Sequence, residues 1–206
     1  MLKQTKTVLA TTALLLAAMQ SAQAHPPLIG VTLTDVGYGG NGCPAGSASV
    51  TLAADKKSVS MLFDDYTAEA GAPGERTRSR KKCDIAFSLK VPNGISVSMV
   101  DADYRGFLDL PHGAKARFTR DYFFAGTRGP RLRANWRGQM DDDFLIKDRL
   151  GVFAQTWSAC GADVILRSKT AAYVSTRRGR EAMMTVDSVD LTTKTIFQYN
   201  FRYRAC

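Results

Sequence analysis

The sequence predicts an all-β fold, an antiparallel β-sandwich built as a single domain with two disulfides. Three observations carry that expectation. Apolar and polar residues alternate with a period of two in segment after segment: Ile85, Phe87, Leu89 and Val91 are interleaved with Asp84, Ala86, Ser88 and Lys90, the pattern of a half-buried strand. Turn residues punctuate these segments at Gly39–Gly42, Gly71–Gly74, Pro92–Gly94, Gly126–Pro130, Gly161 and Gly179, as short antiparallel strands require. Four cysteines, an even number, follow what reads as an export signal, the setting in which disulfides form.

Taken in order, residues 1–24 read as a cleaved signal peptide. Lys3 and Lys6 give a positive start, Val8 to Ala18 an apolar run too short for a membrane span, and Ala22-Gln23-Ala24 a small-x-small cleavage site. Their loss removes two lysines and no acid, so the formal charge of +9 falls to +7 over 182 residues beginning at His25. The chain is then expected in the periplasm or secreted. Residues 25–39 read as an N-terminal arm and first strand, the candidate strand itself being Leu28–Val36; residues 40–206 read as the sandwich domain. Further candidate strands are Ser49–Leu52, Val59–Phe63, Ile95–Tyr104, Arg117–Phe124, Arg131–Arg137, Val152–Trp157, Val164–Arg167, Ala171–Ser175, Met184–Leu191 and Phe197–Tyr203. Asp141–Leu150 is the one segment read as a short helix. With 45% hydrophobic and 9% aromatic residues the chain can fill a core, which argues against disorder. No later stretch reaches the roughly 18 apolar residues of a membrane helix.

Cys43, Cys83, Cys160 and Cys206 allow three pairings. Cys43–Cys83 with Cys160–Cys206 is preferred, because each bridge then staples one half of the chain. A four-thiolate zinc site would need closer spacing, and no CxxC pair is present.

The charged residues fall into groups. Arg76, Arg78, Arg80, Lys81 and Lys82 form a basic run leading into Cys83; Arg128, Arg131, Arg133 and Arg137 form a second; Arg177, Arg178 and Arg180 a third. On a strand, Arg131, Arg133 and Arg137 share one face, a ladder of planar donors suited to carboxylates or phosphates. Tyr66, Tyr104 and Tyr122 are candidate stacking surfaces beside it. Acidic residues cluster at Asp64-Asp65, at Asp101 and Asp103, and at Asp141–Asp143. Paired carboxylates can serve glycoside hydrolysis or calcium, and Asp101-x-Asp103-x-Arg105-Gly106 imitates the start of an EF-hand loop, but with Arg105 where an oxygen ligand belongs. The plainer reading is strand ends and partners for the surplus arginine. The two histidines, His25 and His112, are the possible ligands of a copper brace, with His25 offering its α-amino group as the new N-terminus. No G-x-S-x-G elbow and no P-loop occurs.

Beyond these patterns, the cysteine blocks resemble a family. Gly40-Asn41-Gly42-Cys43-Pro44-Ala45-Gly46-Ser47, Phe63-Asp64-Asp65-Tyr66, Lys81-Lys82-Cys83, Asp101–Gly106, Trp157–Gly161 and Arg204-Ala205-Cys206 resemble, in order and spacing, the blocks of the secreted family catalogued as domain of unknown function 4360. The resemblance spans Gly40 to Cys206 and implies an exported, disulfide-bonded, β-rich single domain with no established activity. Arg128–Asp143 matches no block, so its role rests on its own residues. The expected function is a non-catalytic binding or cell-envelope-associated module with a preference for anionic surfaces or polysaccharide, with no cofactor and no specific nucleic acid. Its anion-binding candidates are Arg131, Arg133, Arg137, Arg76, Arg78 and Arg80. The alternative is an extracellular polysaccharide-active enzyme, working through carboxylates or a copper histidine brace.

Overall fold

The computed structural model describes residues 31–52, 58–150, 157–186 and 197–206. Residues 1–24, read above as a signal peptide, His25, most of the candidate strand Val152–Trp157 and the later part of Met184–Leu191 lie outside the described residues.

Among the described residues the chain forms β1 (Thr32–Gly39), β2 (Ala48–Leu52), β3 (Ser58–Phe63), β4 (Thr67–Ala70), β5 (Arg78–Lys90), β6 (Ile95–Leu110), β7 (Lys115–Phe124), β8 (Arg131–Arg137), β9 (Met140–Arg149), β10 (Val164–Ser175), β11 (Ala182–Thr185) and β12 (Phe197–Ala205). Five of them build a front sheet in the order β1-β5-β10-β7-β8, and the other seven a back sheet in the order β2-β3-β12-β6-β11-β4, with β9 also paired to β6. All pairings are antiparallel. This is the expected sandwich. β6 spans the back sheet: β12 and β11 pair with successive parts of one edge and β9 with the other.

The period-two pattern places one side of each sheet in the core. Ile85 and Phe87 of β5, Phe118 of β7 and Val174 of β10 meet Met61, Tyr104, Leu108 and Met184 of the back sheet, all fully buried. Removing such side chains from water is the main stabilising term, about 1.5–3 kcal/mol for each large one. Gly106 on β6 has no side chain because the Phe144 ring and the Thr185 carbonyl occupy the space where a Cβ would stand.

Three segments depart from the sequence reading. All of Asp141–Leu150 but its last residue is strand rather than helix: β9 pairs with β6 from Met140↔Leu110 to Arg149↔Asp101. Phe144 and Asp148 are buried while Leu145, Lys147 and Arg149 are exposed. The alternation was there, masked by three consecutive aspartates and by a carboxylate in the inward phase. The basic run before Cys83 is also strand from Arg78 onward, the first half of β5, and Val164–Arg167 with Ala171–Ser175 is one continuous strand, β10.

Both bridges follow the preferred pairing. Cys43–Cys83, 40 residues apart, ties the β1–β2 connection to β5 and is wholly buried. Cys160–Cys206, 46 residues apart, anchors the end of β12. Both of its cysteines are exposed.

Candidate functional site

The outer side of the front sheet is a trough of about 1100 Å³. Register fixes its make-up, because residues paired across antiparallel strands stand side by side on one face. Four rows cross β8, β7, β10 and β5 in turn. The first is Arg131, Asp121, Lys169, Asp84; the second Arg133, Thr119, Ala171, Lys82; the third Asn135, Arg117, Tyr173, Arg80; the fourth Arg137, Lys115, Ser175, Arg78.

The first row neutralises itself. Arg131 donates to Asp121 through Nε at 2.6 Å and Nη2 at 3.0 Å, and Lys169 Nζ lies 3.4 Å from Asp84 Oδ2. The hydrogen bond and charge of Asp121 hold the Arg131 guanidinium above its ordinary value.

The other three rows contain seven cations and no carboxylate. All seven are exposed, and none takes part in the ion pairs found among the described residues. Arg117 Nε donates to Asn135 Oδ1 at 2.8 Å, which orients its fork without neutralising it. Arg137 stands directly opposite Lys115, an unfavourable like-charge pair. Same-side neighbours along a strand lie about 7 Å apart, and each such repulsion costs roughly 0.6 kcal/mol at the dielectric of water. One end of the back sheet's outer face is built differently: Asp101 pairs across from Arg149 and Asp103 from Lys147, although Asp109 stands opposite Asp141 at the other end; Arg149 Nη1 lies 3.6 and 3.2 Å from the Asp101 and Asp103 carboxylates.

The sequence candidates divide accordingly. Arg133 and Arg137, from one basic run, and Arg78 and Arg80, from another, share the trough although about 50 residues separate the runs in the chain. Arg131 lines it too, engaged by Asp121. Arg76 lies outside, in the β4–β5 loop whose Thr77 carbonyl accepts from Thr176 N at 2.9 Å. That contact places Arg177, Arg178 and Arg180, all exposed, at the fourth-row end of the sheet. Arg128 is exposed in the β7–β8 loop at the opposite end. His112 is exposed in the β6–β7 loop. Asp101 and Asp103 are partnered by Arg149, Asp64 and Asp65 are exposed between β3 and β4, and Asp141–Asp143 are exposed on β9. Among the described residues no three histidines, cysteines or acids come together as a metal-holding group.

The expected stacking tyrosines are elsewhere. Tyr66, Tyr104 and Tyr122 are 1%, 0% and 3% exposed, because each occupies the inward phase of its strand or turn. Burial pushes the Tyr66 hydroxyl above the usual tyrosine range, against the lowering effect of its 2.8 Å hydrogen bond with Thr170. Two aromatics line the trough instead: Tyr173, on the outer face of β10, and Trp136 of β8, whose ring packs against the core and lies 5.1 Å from that of Phe144.

Sequence reasoning missed a buried polar network between the sheets. Arg120 of β7 donates Nε and Nη2 to the two oxygens of Asp148 on β9, at 2.8 and 2.7 Å. Tyr122 Oη donates to Asp148 Oδ2 at 2.6 Å and lies 2.6 Å from Tyr104 Oη. Arg120 and Asp148 are only 4% and 5% exposed. Burial works against the charged Arg120 guanidinium, but Asp148 outweighs it and leaves its pKa raised. The available signal was the placement of both residues in the apolar phase: Arg120 between Phe118 and Tyr122, Asp148 two residues after Ile146.

Comparison with known proteins agrees with the cysteine blocks. The chain is 34% identical over 179 residues to an uncharacterized secreted protein of Arthroderma benhamiae, covering 85% of this chain and 72% of that one. Two solved structures align distantly. The carbohydrate-binding module TmCBM61 in complex with β-1,4-galactotriose aligns over 84% of this chain and 90% of that one, with 11% identity and a TM-score of 0.27. The family 11 carbohydrate-binding module of Clostridium thermocellum, in complex with a β-1,3-1,4-mixed-linked tetrasaccharide, aligns over 81% and 89%, with 7% identity and a TM-score of 0.21. A likeness that remote says nothing about a ligand. The secreted relative and the two disulfides agree with an exported location. The family model described as domain of unknown function (DUF4360) matches residues 30–206, and this exported, disulfide-bonded sandwich belongs to that family.

Proposed function

We propose that the protein is a non-catalytic binding module that holds anionic polysaccharide, or the anionic surface of a cell envelope, on the outer face of its front sheet. One observation carries the reading: seven exposed cations occupy three adjacent rows with no carboxylate among them. A surface needed only for solubility is better served by interspersed signs, which is how the back sheet's Asp101–Arg149 and Asp103–Lys147 pairs are arranged. Repulsion among the seven is relieved when an anion settles over them. Five of the seven are arginines, whose planar forks bind carboxylates and related oxyanions with two parallel hydrogen bonds. The net charge speeds encounter with any polyanion; the unpaired rows provide the place to hold one.

The test is retention on heparin and polyuronate resins of wild type and of the triple variant Arg80→Gln, Arg117→Gln, Arg133→Gln. These side chains are exposed, so the variant keeps its fold. Elution of wild type well above physiological salt, and of the variant near or below it, is the expected result. Equal elution of the two proteins would overturn the reading.

A further inference from the structure

The trough has a direction, and we infer from it that the ligand is a single unbranched chain of acidic polysaccharide, laid along β10 parallel to the strands. This rests on the binding reading above and adds its substrate class and orientation. The centre line of the trough is uncharged: Ala171, Tyr173 and Ser175 of β10 form its floor. Cations flank that line on both sides, on β5 in every one of the three rows and on β7 in two of them, with those of β8 behind. The β5 and β7 backbones are two strand spacings apart, about 10 Å, so one polymer chain fits between the flanks and a double helix does not. Ala171 contributes only a methyl group, leaving the floor open between Lys82 and Thr119.

The two ends differ. The first row closes one end, because Asp84 and Asp121 repel an anion there and their cationic partners are already engaged. The fourth row opens toward the loops that carry Arg76, Arg177, Arg178 and Arg180. A chain therefore ends near the first row or leaves the sheet there, and runs out past the fourth. The floor also argues for a sugar chain over single-stranded nucleic acid. Surfaces for the latter present successive aromatic platforms, one base to each. The twelve positions of these three rows hold one aromatic, Tyr173, enough to lie against one sugar ring.

The experiment titrates the mature, oxidised protein by calorimetry with two series of increasing length, oligogalacturonates and heparin fragments, and with single-stranded and duplex DNA oligonucleotides of matched charge. Affinity is expected to rise with fragment length and then level off once the trough is spanned, with both DNA forms binding more weakly. Ala171→Phe, which fills the floor without changing charge, is expected to lower affinity for the long fragments at least tenfold. Ser175→Phe repeats the block at the open end, should the first variant not fold. Ile165→Phe, exposed on the same face beyond the first row, should leave affinity unchanged. If neither glycan series and neither DNA binds wild type, the binding reading itself fails. If the glycans bind but the folded floor variants bind as wild type does, or duplex DNA binds as tightly as the glycans, the chain along β10 is overturned while anion binding stands. Tighter binding of single-stranded DNA than of either glycan series would overturn the substrate class.

Discussion

Replacing Asp148 by Ala leaves the Arg120 guanidinium buried without a counter-charge. In the native protein, Asp148 accepts three short hydrogen bonds, two from Arg120 and one from Tyr122, and joins β9 of one sheet to β7 of the other. Because Arg120 is 4% exposed, water cannot replace the lost partner without opening the sandwich edge. Breaking a buried pair from one side costs about 3–5 kcal/mol. For a domain of this size each kcal/mol lowers the melting temperature by roughly 2–4 °C, so D148A should melt about 6–20 °C below wild type. Thermal and urea unfolding with the disulfides intact measure it. The double variant Arg120→Met, Asp148→Leu removes both charges and keeps most of the volume, and should lie within about 1 kcal/mol of wild type, since a buried pair is often no better than its apolar replacement. A single-variant loss under about 1 kcal/mol, or a double-variant loss equal to the sum of the two single losses, would refute the reasoning.

Four further outcomes follow from the same structure. Reducing both bridges should lower the melting temperature by tens of degrees, since loops of 40 and 46 residues are each worth about 4 kcal/mol in the chain-entropy model; a negligible shift would contradict the framework. Under limiting reductant, thiol labelling should appear first at Cys160 and Cys206, which are exposed, and last at Cys43 and Cys83, which are buried. The raised Tyr66 pKa means that the unfolded chain releases this proton first, so its contribution is intact below about pH 10 and is lost as the pH climbs further; Tyr66→Phe should flatten the alkaline stability profile. Arg137→Gln removes the repulsion with Lys115, so its stability should equal or slightly exceed wild type at low salt while its heparin retention falls.

Much of the sandwich was legible because a period-two pattern in a polar chain has few other solutions. β5, β7 and β8 read directly from Ile85–Phe87–Leu89, Phe118–Tyr122–Phe124 and Leu132–Trp136. β9 did not, since its Asp148 sits inward and its start is acidic; only the pairing of Asp148 with Arg120 makes that phase affordable, and the pairing spans two sheets. The candidate site was half legible. Spacing alone puts Arg131, Arg133 and Arg137 on one side of a strand. It does not say that Arg78 and Arg80 lie on the same face, nor that Arg131 is engaged by Asp121, because both depend on which strands become neighbours. The tyrosines were misplaced for a different reason: their phase points to the core, whereas Tyr173 points out from the middle of the front sheet.

The central claim is that the unpaired rows of the front sheet hold a polyanion. The most direct measurement is the affinity of the mature, oxidised protein for heparin at physiological salt, set against that of the Arg80→Gln, Arg117→Gln, Arg133→Gln variant and against a variant neutralised elsewhere, at Arg105, Lys147 and Arg149 on the back sheet. The account predicts a loss of at least tenfold for the front-sheet variant and little change for the back-sheet one. Equal losses in the two would show that net charge alone governs binding, and would contradict it.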